Sequence, residues 1–366
     1  VENSDETPDA PSPTESSDAK APPTDAPPSD AKLEEQVAQA APDLQRLLQG
    51  LDDVMLGKPD LTRLTVTGML AGGHLLLEGL PGLGKTELVK GLARLCDVQH
   101  QRIQFTPDLL PGDITGNFIL EEQDKKREFV FQQGPVFTNI LLADEINRAS
   151  PKTQSALLES MQEATVTVLG RRFELPRPFF VLATQNPIDL EGTYQLPEAQ
   201  LDRFLMKLHL DRPTPDVLRT IIKEREKGRP PEADPVLSAD RLSELMALTN
   251  KIYLSGPVAD FISRIVEATH PDSDLAPDLI KRFGKFGGSP RAAIALANAG
   301  RTRALINGRI NVGFDDIRAI VHPICNHRVL LDYAAKIEGI TITQVLDEVL
   351  ASVHELDRGL PAGVSV

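Results

Sequence analysis

The sequence predicts an α/β protein: a mostly parallel, doubly wound sheet followed by a smaller, mainly helical domain. Short apolar runs alternate with helix-spaced segments as far as Leu210, the pattern of strands joined by helical crossovers. Glycine-rich and acidic clusters follow those runs directly, at the strand ends where open parallel sheets bind ligands. Beyond Asp211-Arg-Pro-Thr-Pro215 the spacing is helical to about His354, broken by Gly/Pro loops such as Gly284–Pro290.

Residues 1–32 stand apart, with seven prolines and eight acidic residues against two lysines. Such a segment buries too little apolar surface to offset the entropy of ordering, so an acidic, disordered tail is expected. Leu33, Val37, Leu44, Leu47, Leu48 and Leu51 then recur at helical spacing. Strands are expected at His74–Glu78, Val98–Phe105, Asn139–Ala143 and Phe179–Thr184. Helices are expected at Lys85–Leu95, Pro151–Glu163 and Glu198–Arg203. The domain reading is a tail (1–32), an α/β core (33–211), a helical domain (212–354) and a flexible C-terminal tail (355–366).

Composition excludes some functions. The chain has 366 residues, a net charge of −14, no Trp and 4% aromatics. A general nucleic-acid binder needs a positive field and stacking platforms, so none is expected. Two distant cysteines, Cys96 and Cys325, rule out a disulfide framework and suit a reducing compartment. No apolar run is long enough to span a bilayer, and a cytoplasmic location without membrane insertion is expected.

The chemistry sits in a few motifs. Gly79-Leu-Pro-Gly-Leu-Gly-Lys-Thr86 matches G-x-x-x-x-G-K-[ST] between an expected strand and an expected helix. Its glycines let backbone amides turn around phosphates, Lys85 reaches the β- and γ-phosphates, and the Thr86 hydroxyl ligates Mg²⁺. The nucleotide-contacting set is Pro81, Gly82, Leu83, Gly84, Lys85, Thr86 and Glu87 with Asp144, and the ligand is ATP or ADP with Mg²⁺. Leu141-Leu-Ala-Asp-Glu145 is an apolar strand ending in two acids: Asp144 joins Thr86 around Mg²⁺, and Glu145 is the general base toward water.

Other residues stay open on type alone. Asn186, after Ala183-Thr-Gln, either positions water or only closes a strand. Arg203 suits transition-state charge on a phosphoryl group, but a surface salt bridge with Asp202 is the plainer reading. Arg291 lies in a helix's first turn, where the dipole disfavours a cation, which hints at an anionic partner. His322-x-x-Cys325-x-His327 has metal-like spacing but no fourth ligand, and no zinc is expected.

In this order these pieces resemble an AAA+ ATPase, and their wording is similar to the MoxR family. The matching stretches are Glu78–Thr86, Gln133–Phe137, Leu141–Ala149, Lys152–Glu163, Ala183–Pro187, Glu191–Tyr194, Leu196–Phe204 and Gly288–Ala292, and the likeness covers roughly residues 33–354. The resemblance implies that Asn186 is sensor 1, that Arg203 is an arginine finger acting in a neighbouring subunit, and that Arg291 is sensor 2 reaching back from a helical lid. It implies adenine contacts at Leu56 and Gly57, although Met55 and Lys58 depart from the commoner wording. Hairpins are implied at Asn117–Leu120 with Glu128–Phe131, and at Thr165–Val168 with Arg172–Leu175; in ring-shaped relatives such hairpins face the pore. The family implies a ring, usually a hexamer, working with a von Willebrand A domain protein to remodel or activate protein clients, including metalloenzymes awaiting their metal. Three alternatives stay open: a nucleotide-gated scaffold with slow hydrolysis, a magnesium-chelatase-like subunit, and a nucleic-acid translocase, the last disfavoured by the charge.

Overall fold

The computed structural model describes residues 31–80, 82–123, 126–186, 193–225, 230 and 233–355. The acidic segment 1–30, the C-terminal residues 356–366 and Pro81 lie outside the described residues. Helix α1 (Ala31–Val54) begins two residues before the expected boundary, and its buried Leu33, Val37, Ala40, Leu44, Leu47, Leu51 and Val54 step by four and three along one stripe. Then come α2 (Pro59–Leu70), β1 (Leu75–Gly79), α3 (Lys85–Leu95), β2 (His100–Gln104), α4 (Pro111–Thr115) and the hairpin β3 (Gly116–Gln123) and β4 (Lys126–Gln133). Strand β5 (Ile140–Asp144) leads through a 3₁₀ turn, Ile146–Arg148, to α5 (Pro151–Glu163). A second hairpin, β6 (Thr165–Val168) and β7 (Arg171–Glu174), precedes β8 (Phe180–Gln185), α6 (Glu198–Leu201) and β9 (Met206–Leu210). The rest is mainly helical: α7 (Pro215–Glu224), α8 (Ala239–Thr249), α9 (Gly256–Glu267), α10 (Asp278–Phe283), α11 (Pro290–Ile306), α12 (Phe314–Cys325), α13 (Tyr333–Glu338) and α14 (Ile342–Ser352). Two short paired strands, β10 (Gly284–Phe286) and β11 (Leu330–Leu331), lie among them.

The main sheet has the order β2-β5-β8-β1-β9, with every pairing parallel. Its central strands are almost wholly buried, as both faces carry helices. On one face, Leu76, Leu141, Ala143, Leu157 and Phe204 form a closed core. On the other, the core under α1–α3 runs without a break into the C-terminal helices, joining Leu44, Leu75 and Leu92 to Leu245, Leu296 and Ile320. The helical part is therefore fused to the sheet's helices through shared apolar surface.

Several expected boundaries shift for local reasons. Strand β2 is shorter than Val98–Phe105, because Val98 N–H bonds back to the Ala93 carbonyl and Asp97 adopts φ 47° to close α3. Helix α6 stops at Leu201, where Arg203 and Phe204 N–H groups bond three residues back in a tighter turn. The first hairpin is longer than expected. The second turns on Leu169-Gly170, with φ 48° and 77°, as a two-residue primed turn requires. Cys96 and Cys325 are both free and buried. His322 faces Asp347, while His327 faces the Phe204 carbonyl. Among the described residues, no helix is long and apolar enough to cross a membrane.

His74 ties the layers together just before β1. Its Nδ1 accepts from Val181 N–H at 3.0 Å and its Nε2 donates to the Met161 carbonyl at 2.9 Å. Burial pushes its pKa down to about 4. Between the ordinary histidine value near 6.5 and 4, the unfolded chain binds a proton that the native chain does not, so stability falls on acidification by about 3 kcal/mol from this group. The stability advantage of the wild type over His74→Asn, from urea unfolding, should therefore shrink as pH drops from 7 to 4.5; a pH-independent difference would refute this assignment.

Candidate active site

The phosphate loop follows β1 because a buried apolar strand delivers Gly79 to the sheet's carboxyl edge. Gly82 and Gly84 adopt φ 80° and 94°, which side chains resist, and a Cβ at Gly82 would meet open space. Gly84 opens α3, whose first turn carries Lys85, Thr86 and Glu87, so free helix N–H groups face the same space as the loop. The Lys85 ammonium donates to the Gly79 carbonyl at 2.5 Å. Burial lowers its pKa, opposed by the carboxylates of Asp144, Glu145 and Glu78.

The two acids stand two strands away, at the end of β5, with β8 between it and β1. Thr184 on β8 links them: its hydroxyl donates to Asp144 Oδ1 at 2.7 Å and accepts from Glu145 N–H at 2.9 Å. Glu145 sits in the left-handed region at φ 57°, a strained conformation that concentrates at functional sites. On the other side, Arg102 of β2 donates to Asp144 Oδ2 from Nη2 at 2.6 Å and from Nε at 3.2 Å. Gln104, two residues on and so on the same strand face, accepts from Arg102 at 2.8 Å and donates to Glu145 Oε2 at 2.9 Å. Arg148 donates to that same oxygen at 3.0 Å. Asn186 follows β8, and its carbonyl accepts from Asn147 at 3.5 Å. Gln154, buried in α5, donates to the Ile146, Ala149 and Tyr194 carbonyls and so fixes the turn after the acids.

Beside the loop lies a cavity of about 320 Å³ lined by Met55, Leu56, Leu83, Glu87, Leu218, Ile221 and Arg225 among others. Gly57 turns at its edge with φ 72°, and a Cβ there would lie 2.4 Å from Val217 of α7. Arg225 donates to the Asp53 and Val54 carbonyls, both at 2.8 Å, capping α1. Apolar walls beside an anion cradle fit a flat base joined to phosphates. Thr86 and Asp144 supply hard oxygen donors of the kind Mg²⁺ takes.

Arg203 and Arg291 are not brought to this loop. Gly79 pairs with Leu210 at one end of β9, and Leu75 pairs with Met206 at the other. Five strand residues span roughly 17 Å, and Arg203 lies beyond the amino end. Its guanidinium Nε is buried with no hydrogen-bond partner among the described residues. The plainer reading, a salt bridge from Arg203 to Asp202, is corrected: the Asp202 carboxylate is held by Arg328 at 2.8 Å, Ser289 at 2.9 Å and Arg291 at 3.4 Å. That contact places Arg291, in the first turn of α11, beside the Arg203 turn. The sequence reading missed Arg102, Gln104, Thr184, Arg225 and Arg328. The alternation Arg102-Ile-Gln104 on a strand neighbouring the acids was the legible signal; nothing local marked the others.

Arg102 and a divalent cation claim the same carboxylate. Removing the guanidinium in Arg102→Ala should lower, by several-fold, the Mg²⁺ concentration giving half-maximal binding of a fluorescent ATP analogue; an unchanged or higher requirement would make the contact incidental.

The comparisons agree with this geometry. The family model described as ATPase family associated with various cellular activities (AAA) matches residues 74–206, and an AAA lid domain model matches residues 279–349. The uncharacterized protein YeaC of Bacillus subtilis (strain 168) is 42% identical over 315 residues, spanning 85% of this chain and 94% of its own. Chaperone MoxR1 of Mycobacterium tuberculosis is 41% identical over 319 residues, spanning 87% and 84%. A solved structure of a Cytophaga hutchinsonii protein assigned as an ATPase superposes with a TM-score of 0.80 at 37% identity, covering 88% of this chain and 98% of that one. With the strand order, the phosphate loop and the paired acids on one sheet edge, this chain belongs to the MoxR family of AAA+ ATPases.

Proposed function

We propose that this chain hydrolyses ATP at a site completed by a second copy of itself and uses the cycle as a chaperone-like remodeller of protein clients. The observation that carries this reading is the separation along the strands. Lys85, Asp144 and Glu145 share the carboxyl edge, while Arg203 and Arg291 share the opposite end. An arginine pair that far from its own loop serves a neighbour's γ-phosphate.

Within one chain, the glycine loop and α3 amides bind the phosphates, and Lys85 leaves the Gly79 carbonyl to pair with them. Thr86 and Asp144 would hold Mg²⁺, which when bound neutralises charge across the β- and γ-phosphates. Glu145, with Asn186, orients the attacking water and takes its proton. Arg203 and Arg291 of the adjacent chain stabilise charge developing on the γ-phosphoryl oxygens.

Two features support work on protein clients. The two hairpins are locked into one unit by Phe131 stacked on Phe173 at 4.0 Å, with Phe118 against both. They present exposed Leu120, Phe129 and Leu169 to solvent, an apolar surface suited to extended polypeptide. Likeness to a protein named Chaperone MoxR1 supports the same reading. The family resemblance points to a ring, usually hexameric, and to a von Willebrand A domain partner.

Glu145→Gln should bind ATP with near wild-type affinity yet lose at least about a hundredfold in turnover, within the usual contribution of a general base. Wild-type turnover in that variant would contradict the role. Arg203→Ala and Lys85→Ala chains should each be inactive alone and should regain hydrolysis when mixed, because one keeps a working loop and the other a working finger; no recovery on mixing would contradict a shared site.

A further inference from the structure

The Arg203 Nε is buried with no hydrogen-bond partner among the described residues, yet the residues on either side of it are held tightly from outside the α/β core. After α12 the chain runs Asn326-His327-Arg328 straight into the turn between α6 and β9. The Arg328 side chain is only 3% exposed. Its five N–H donors match five acceptors: Nε bonds Asp202 Oδ1 at 2.8 Å, Nη1 bonds the Leu205 carbonyl at 3.0 Å and the Ile324 carbonyl at 2.5 Å, and Nη2 bonds the carbonyls of Asp202 at 3.1 Å and Phe204 at 2.7 Å. His327 Nε2 donates to the same Phe204 carbonyl at 3.1 Å, and Asn326 donates to the Lys207 carbonyl at 3.0 Å.

We infer that Arg328 is the positioning residue of the trans-acting arginines, fixing the backbone on both sides of Arg203 and, through Asp202, the guanidinium of Arg291. Asp202 is the bridge: one carboxylate receives Arg328, Arg291 and the Ser289 hydroxyl that caps α11. A buried guanidinium with every donor satisfied is rigid, because loss of any one bond leaves a polar group stranded in the interior. The planar fork is essential to this role. A lysine ammonium has three donors at one point and cannot span a carboxylate and four carbonyls. The same arrangement binds the helical lid to the finger turn, so that lid and finger move as one body.

This inference rests on the two-chain reading of the active site, and complementation separates the two. Arg328→Lys should bind a fluorescent ADP analogue within about twofold of wild type, since the nucleotide cavity is at the other end of the strands. Its hydrolysis should fall at least about tenfold, a part of the 10³–10⁵ that an arginine finger supplies. Mixing it with Lys85→Ala chains, whose fingers are intact, should restore hydrolysis; mixing it with Arg203→Ala chains should not. Asp202→Asn, which leaves the backbone bonds of Arg328 in place, should follow the same pattern with a smaller loss and carries the test if Arg328→Lys does not fold. Recovery with Arg203→Ala, or no recovery with Lys85→Ala while the Arg203→Ala and Lys85→Ala pair does recover, would overturn the assignment to Arg328 alone. Failure of that last pair would instead overturn the shared site.

Discussion

Five parallel strands divide the chemistry of this chain between their two ends. Parallel pairing carries every strand in the same direction, so the turns after β1, β5 and β8 gather at one edge and the turn before β9 lies at the other. The phosphate loop and the acids follow strands; the arginine turn precedes one. A guanidinium cannot reach across roughly 17 Å of strand. Under the proposed mechanism, dependence on a second chain follows from strand direction before any detail of side-chain placement.

The two ends differ in how they are held. At the carboxyl edge the acids are tied partly by surface neighbours that exchange readily, the half-exposed Arg102 and the Gln104 amide. Such contacts are screened and individually weak, which suits groups that must reorganise around a nucleotide. At the amino edge the turn is fixed by a buried arginine and by an apolar core continuous with the C-terminal helices. One end is built to change partners and the other to stay in register.

Much of this was legible in the sequence. Strand–loop–helix order around Gly79–Thr86 and the acids after Leu141-Leu-Ala are local patterns, and periodicity located α1, α3 and α5 closely. The second hairpin was expected to turn on Leu169-Gly170-Arg171, but Arg171 pairs with Val168, so the turn holds only Leu169 and Gly170 and the return strand starts one residue early. What escaped was non-local. Asp202 was read with Arg203, its neighbour in sequence, yet its carboxylate is taken by Arg328, over a hundred residues on. Arg102 lay on a strand expected from alternation, but only the β2–β5 register brings it to Asp144. The roles expected of Asn186, Arg203 and Arg291 came from family resemblance and not from spacing; the structure adds where each sits.

The most direct measurement is specific ATPase activity against protein concentration, with mass followed by light scattering on the same samples. If the active site is shared between chains, activity per chain should rise from near zero in dilute monomer and level off as the assembly forms. Constant activity per chain down to concentrations where only monomer scatters would show that one chain hydrolyses ATP unaided, and would contradict the shared site.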